Sequence, residues 1–457
     1  MHFEQLLKTA SDRPVRVALI GTGEFGLSLI SQARRVDGID IVAAVDPDLN
    51  RVGSGLAALD IDHSHCQNRS QALQAIESDR LALLGSADDV FDLPVEMIVE
   101  ATGSPEVGAQ HALQAIEAGI GVTMVSKEAE CVVGPILAHK ARKAGVPYTL
   151  VEGDQPALLI SLISRTRALG LPIVCVGKSS EYDFVFDPDS GTTTWTSETT
   201  SSPNLIDIWS LDGDTASRLA ARSRLLSELP QRTVPDFCEM LLVSNATGIK
   251  PDRPNFHAPM TRAVELPSIY IPKHDGGVLA SAPAIDVFNC LRRPDEASFA
   301  GGVFVVVEWA DSASGELFRG KGIPSSPDGK YGLIYNPSHL LGVEAPMSIM
   351  AAARLSNTSV DQNYRPVVDL TARAATDLKA GRVLDIVGTR HAIPDLEPLL
   401  IPAVAVGDDT PLPYYMAVGA MLARPVKAGE FITRGHLATP LPASLSALRA
   451  EQDVVFS

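Results

Sequence analysis

The hexapeptide Gly21-Thr22-Gly23-Glu24-Phe25-Gly26 has the spacing of a phosphate cradle. The apolar, β-branched run Val15-Arg16-Val17-Ala18-Leu19-Ile20 precedes it, and Leu27 to Arg35 after it has helix composition. A second strand pattern, Ile39 to Val45, ends at Asp46, 20 residues beyond Gly26. A GxGxxG between strand and helix with such an acid is the dinucleotide fingerprint in its required context. Gly21 allows the tight turn, Gly23 lets backbone approach a pyrophosphate, and Gly26 lets helix and strand pack closely. Free N–H groups and the positive end of the helix then face the anion. Thr22, Glu24 and Phe25 complete the cofactor-binding loop. A carboxylate at Asp46 accepts hydrogen bonds from ribose hydroxyls and repels a 2′-phosphate, which favours NAD over NADP. Arg51, five residues on, could reach a 2′-phosphate, so NADP stays open as a second cofactor.

Hydride transfer at a C–O carbon needs a group that exchanges a proton with the oxygen. Lys127 and Lys178 both follow strand patterns, and Asp154 follows the last strand pattern of the N-terminal region, with Glu152 beside it. Lys127, Lys178 and Asp154 are the catalytic candidates. Lys178, followed by Ser179 and Ser180, could equally hold a substrate phosphate or carboxylate. His257, His274 and His339 lie in polar loops and stand next in line. Spacings typical of metal ligands do not stand out, so no metal is expected.

The elements that must position these groups alternate. Val95 to Glu100 reads as a strand running into Ala101-Thr102-Gly103, and Gly108 to Ala118 as a helix. Gly121 to Val125 reads as a strand ending at Ser126-Lys127, Pro135 to Ala144 as a helix, and Val146 to Val151 as a strand. Ligands on wound sheets lie beyond the carboxyl ends of the strands, which adds Ala101, Thr102, Gly103 and Ser126 to the cofactor set. Past 151 the pattern mixes. A helix is expected over 157–169, a strand over 173–176 ending at Gly177-Lys178, and an aperiodic loop over 186–204. Further helices are expected over 214–229, 235–243 and 344–355, and strands over 268–272, 278–280 and 302–309. The last of these helices commonly returns to the cofactor domain in dehydrogenases. Near the C-terminus, Asp377 to Leu384 and Arg424 to Thr433 are near repeats about a shared Lys-Ala-Gly turn.

The order GTGEFG, VEATGSPEVGAQHALQAIEAG, VTMVSKEAE resembles the N-terminal domain of homoserine dehydrogenases, in which a strand-end lysine points at the nicotinamide. Gly153-Asp154-Gln155-Pro156, Gly177-Lys178, Asn245-Ala246-Thr247-Gly248 and Gly276-Gly277-Val278-Leu279 look more like one branch, the homoserine-dehydrogenase-like oxidoreductases with a C-terminal SAF domain. That branch includes the deoxyxylulose-phosphate reductoisomerase-like enzymes, which use NADPH. The resemblance spans roughly residues 15 to 440, and the Lys-Ala-Gly repeats resemble the SAF β-clip module. The fold class is α/β in three parts. A doubly wound Rossmann sheet covers 1–151, an α+β substrate domain 152–365, and a small β-rich SAF-like domain 366–457.

Composition narrows the partners. The 457 residues hold 38 Lys+Arg against 55 Asp+Glu, a formal charge of −17, so nucleic acid and anionic membrane surfaces are poor partners. Five scattered cysteines without a CxxC read as reduced buried thiols, and no apolar leader or membrane-length run appears. The expectation is a cytoplasmic homo-oligomeric oxidoreductase acting on a CH–OH or C=O group of a small polar compound, sugar- or polyol-derived and anionic. The alternatives are a 1-deoxyxylulose 5-phosphate reductoisomerase-like enzyme making methylerythritol phosphate, and a non-catalytic NAD(H)-binding sensor or scaffold.

Overall fold

The computed structural model describes Gln5 and residues 13–457, Asp212 and Thr389 excepted. It divides into two compact units, both discontinuous in sequence. The first holds the chain up to Ala157 together with Leu340–Asp385 and Ala403–Ser457. The second holds Leu158–His339 and Ile386–Pro402.

The first unit is a doubly wound α/β fold. Its strands and helices run β1 (Val15–Ile20), α1 (Glu24–Ala33), β2 (Ile39–Val45), α2 (Leu49–Ala58), β3 (His63–Cys66), α3 (Arg69–Glu77), β4 (Leu81–Leu84), β5 (Met97–Glu100), α4 (Pro105–Glu117), β6 (Gly121–Met124), α5 (Lys127–Ala144) and β7 (Tyr148–Leu150). The seven strands form one parallel sheet in the order β3-β4-β2-β1-β5-β6-β7. Helices on both faces bury such a sheet, which explains its unbroken apolar runs, VALI, IVAAV and MIV. The helix Ala345–Leu355 also belongs here: Ala345, Ile349 and Met350 pack with Leu19, Leu29 and Val99 in one core.

Helix α5 begins at Lys127, eight residues before the Pro135 start that the sequence pattern gives, and Pro135 lies inside it. A proline should break the ladder here. Gln452, on the helix Ala443–Val455, fills the gap. Its Oε1 accepts from Ile136 N at 3.2 Å and its Nε2 donates to Val132 O at 3.1 Å. The side-chain amide thus joins the two backbone groups that a regular helix would pair directly.

The Lys-Ala-Gly repeats pair with each other. Leu378 and Val426 exchange both backbone hydrogen bonds, at 2.8 and 3.1 Å, and Gly381 and Gly429 take left-handed φ of 82° and 88°. The strand Val368–Ala374, which precedes the first repeat, is tied down by Arg449, whose guanidinium donates to both Asp369 oxygens at 2.7 Å.

Helix α6 (Gln155–Ala168) leads into the second unit. There β8 (Ile173–Ser179), β9 (Phe184–Asp187), β10 (Thr192–Trp195), β11 (Glu198–Ser201), α7 (Thr215–Leu225), α8 (Val234–Thr247), β12 (Lys250–Pro251), β13 (Met260–Thr261), β14 (Ala284–Arg292), β15 (Val303–Glu308), α9 (Ser312–Gly320) and β16 (Tyr331–Asn336) follow. The mixed sheet runs β11-β10-β9-β14-β8-β15-β16, and β12 and β13 also pair with β14.

Three sequence expectations fail in this unit. Residues 186–204 are a β-meander rather than a loop: Thr193 and Trp195 alternate inward, and Thr194 meets Thr199 across the strands at 3.0 Å. Polar threonine hid that alternation. The 268–272 and 278–280 patterns give a helical turn, Leu266–Ile269, and a single bridge between Pro272 and Leu279. Sequence reasoning also missed β16 and, at the centre of the sheet, β14. Asp286 and Asn289 interrupt its apolar pattern, yet both are buried with partners. Among the described residues no helix is long and apolar enough to cross a membrane. All five cysteines are buried, and among the described residues no disulfide joins them.

Candidate active site

The glycine loop shows three different constraints at its three glycines. Gly21 has φ +91°, and a Cβ there would lie 2.4 Å from Ala101 O. At Gly26 a Cβ would lie 2.8 Å from Gly21 O and 3.0 Å from Leu19 Cδ2, so strand and helix meet too closely for a side chain. At Gly23, the N-cap of α1, a Cβ would meet no atom within 4 Å. Two glycines are therefore required by the protein's own backbone. The third leaves open the approach to the N-terminus of α1, which is the arrangement a pyrophosphate needs. Glu24 and Phe25 form the first turn of that helix, and Thr22 is buried beneath.

Asp46 lies just past β2 with three donors on its carboxylate. Thr22 N donates to Oδ2 at 3.0 Å, Arg51 Nη2 to the same oxygen at 2.8 Å, and Asp48 N to Oδ1 at 2.9 Å. Arg51 Nη1 also donates to Thr22 O at 3.0 Å. The acid expected to repel a 2′-phosphate thus carries its own counter-ion, and Arg51 is near half exposed.

Further along the strand ends, Ser126 Oγ accepts from Gly103 N at 2.8 Å, which ties the loop after β5 to the one after β6. Thr102 Oγ1 donates to Glu100 Oε1 at 2.6 Å, with Ala101 between them. Glu100 is fully buried, and His111 Nδ1 lies 3.5 Å from its carboxylate. Sequence reasoning passed over Glu100. Its signal was a lone acid ending an apolar strand.

Lys127 opens α5 rather than closing β6. Its Nζ lies 3.0 Å from Asp154 Oδ2 and 3.2 Å from Oδ1, so two of the three catalytic candidates meet. Asp154 Oδ1 also accepts from Gln155 N at 2.9 Å, at the start of α6. The surroundings are acidic. Burial pushes the carboxyls of Glu128 and Glu152 up, and nearby Glu344 pushes Glu152 further.

Lys178 belongs to the second unit and sits inside β8, not after it. Its side chain is 1% exposed and lies between two acids of α8, Asp236 at 2.9 Å and Glu239 in direct contact. Burial pulls the ammonium's pKa down, but Glu239, Asp236 and Glu181 outweigh it and hold the group well above its ordinary value. Such a lysine stays charged and does not trade protons near neutrality. Ser180 Oγ and Thr233 Oγ1 each donate to Asp236 at 2.8 Å. The legible clue to this cluster was the i, i+3 pair of acids in the otherwise apolar run VPDFCEMLLV.

Of the three histidines, His274 is 79% exposed beside Asp275. His339 is half-buried, and among the described residues its Nδ1 has no hydrogen-bond partner. His257 is 5% exposed, and its Nε2 lies 2.8 Å from Asp252.

Residues 153–345 match the family described as "Oxidoreductase DRL, catalytic domain". No curated protein matches the chain. Solved structures with similarity include an oxidoreductase from Agrobacterium radiobacter in complex with NAD+, L-tartaric acid and magnesium, at 18% identity over 37% of this chain and 45% of that one, TM-score 0.26. The WlbA dehydrogenase from Bordetella pertussis with NADH and UDP-GlcNAcA is 19% identical over 38% and 48%, TM-score 0.26. The 1-deoxy-D-xylulose 5-phosphate reductoisomerase from Zymomonas mobilis with NADPH is 17% identical over 37% and 46%, TM-score 0.28. The chain spans less than half the length of each of these structures.

Proposed function

We propose that this protein is an NAD(P)-dependent oxidoreductase moving a hydride to or from the carbon of a small polar hydroxy or keto compound. The observation that carries the reading is the contrast within the glycine loop. Gly21 and Gly26 are each blocked by backbone, whereas Gly23 has free space at the N-terminus of α1. The match of residues 153–345 to an oxidoreductase catalytic domain supports it from the other unit. The loop 21–26, Asp46 and the ends of β5 and β6 hold the dinucleotide. Lys127, oriented by Asp154, carries the proton to or from the substrate oxygen. NAD(H) is preferred through Asp46, and Arg51 lets NADP(H) bind as well.

Titration of NADH into the full-length protein and its Gly23→Val variant tests the reading. A side chain at Gly23 enters free space, so melting should be unchanged while cofactor affinity falls by about 100-fold or more. Equal affinity in both proteins would mean that the loop is only a tight turn.

A further inference from the structure

Strand β3 is the edge of the parallel sheet and pairs on one side only, with β4. Its sequence is His63-Ser64-His65-Cys66. Side chains two apart on a strand share a face, so His63 and His65 stand together while Ser64 and Cys66 take the opposite face. His63 is half-buried and His65 exposed. Their rings lie 5.7 Å apart between centroids, with planes tilted by 32°.

Both rings reach towards helix α2, at a position that has no side chain. A Cβ at Gly53 would lie 3.0 Å from His65 Nε2 and 3.3 Å from His63 Nε2. The same nitrogen of each ring therefore converges on one spot. Glycine in a helix interior is roughly 0.5–1 kcal/mol worse than alanine. Gly53 lies inside α2, where the backbone is open to any residue, and the atoms nearest to its absent side chain are those of the two imidazoles.

The tautomer of His63 is set as well. Its Nδ1 lies 3.0 Å from Ile61 O. A carbonyl only accepts, so Nδ1 carries the hydrogen and the neutral ring keeps its lone pair on Nε2. Histidines that ligate metals are oriented in this way, with the other ring N–H held by a carbonyl or carboxylate. Arg80 fixes the strand itself by donating to His63 O. Among the described residues neither Nε2 has a hydrogen-bond partner.

Among the described residues no group of three or more histidine, cysteine and carboxylate side chains is placed to hold a metal ion. A pair of imidazoles needs no third protein ligand where water fills the remaining positions. The ligand type selects the ion. Magnesium and calcium require oxygen ligands, whereas imidazole suits zinc, nickel and copper. The net charge of −17 favours cations near the surface in general.

We propose that His63 and His65 form a two-point chelate for a divalent transition-metal ion of the zinc, nickel and copper group, beside the bare backbone of Gly53. Strand β3 stands three places from β1, whose end carries the glycine loop, so the proposal is independent of the oxidoreductase reading.

Calorimetric titration of zinc chloride into the full-length protein, in a buffer that does not chelate, tests it. Zinc should bind saturably at one site with a dissociation constant below about 100 µM, and excess magnesium should not displace it. His63→Ala and His65→Ala should each weaken binding by about 10-fold or more, and the double variant should lose it. Gly53→Ala keeps both histidines and adds a good helix former, so melting should stay within about 3 °C of the parent while zinc affinity falls by a similar factor, because the methyl group displaces the ring tips. With one equivalent of copper(II) in place of zinc, electron paramagnetic resonance should show coupling to two ring nitrogens, and to fewer in either single histidine variant. No saturable zinc binding up to about 1 mM, zinc binding that survives in the double variant, or parental affinity in Gly53→Ala would each overturn the proposal.

Discussion

Lys127 and Lys178 looked alike in the sequence, each a lysine placed after an apolar strand pattern. Folded, they are opposites. Lys127 is about a quarter exposed, at the start of a helix, beside Asp154. Lys178 is sealed inside a strand between two acids. Burial between two acids holds Lys178 charged in the interior, whereas Lys127 stays partly exposed beside Asp154. A lysine's position along the chain says little about its role until its carboxylates are counted.

The sharpest way to break that contrast is to remove both ammonium groups in turn. Lys178→Met strands Asp236 and Glu239 in the interior and should lower stability by about 3–5 kcal/mol in urea unfolding. Adding Glu239→Gln should recover part of the loss. Lys127→Met should leave stability within about 1 kcal/mol, and once a substrate is in hand, cut turnover by about 10²–10⁴-fold. Equal stability losses in the two variants would erase the distinction.

A buried acid sharpens it. Glu130 of α5 accepts from Tyr148 OH and from Tyr364 OH, the latter at 2.7 Å, and burial raises its pKa to about 7 from an ordinary 4.5. The native state therefore keeps a proton that the unfolded state has already lost. Stability should be fullest below about pH 4.5 and fall as pH rises towards 7, by about 3 kcal/mol if Glu130 acts alone. Glu130→Gln should flatten that slope. An unchanged slope in the variant would show that the carboxyl is ionised throughout.

Five strands of the first unit were legible because they are buried on both faces and read as apolar runs, whereas β3, polar in His63-Ser64-His65, and the short β4 were passed over. The glycine loop was legible because backbone demands glycine at 21 and 26 and the open helix N-terminus suits it at 23, all at fixed spacing. The second unit was harder. Its central strand β14 carries Asp286 and Asn289, whose partners come from distant segments, and its threonine-rich meander alternates without hydrophobic contrast. Asp236 and Glu239 showed in the sequence only as an i, i+3 acid pair, because only the fold brings α8 to β8. Helix α5 was misread at Pro135 for a related reason: the group that repairs its ladder comes from the far end of the chain. Gln452→Leu should leave Val132 O and Ile136 N unpaired and cost about 1–3 kcal/mol per group. Melting unchanged from the parent would mean that those groups find other partners.

The smallest expected effect lies at the open rim of the first unit. Arg51→Ala removes the cation held on Asp46 and should widen the preference for NAD(H) over NADP(H) several-fold, and Asp46→Ala should narrow it. Paired titrations with both cofactors read this directly. A shift in the opposite sense for either variant would show that the 2′-position is recognised elsewhere.

The Gln452 contact also bears on how the protein is made. The two helix positions it bridges precede it by 316 and 320 residues. The helix Ala345–Leu355, which completes the core of the same unit, also comes late. A nascent chain that has released only its wound sheet therefore holds an unfinished core and a helix with a gap at Pro135. It must wait through the synthesis of the whole second unit before either is closed. Contacts of such long sequence separation form slowly and leave apolar surface exposed in the interval. The early segment should accordingly depend on chaperones during translation more than its regular architecture suggests.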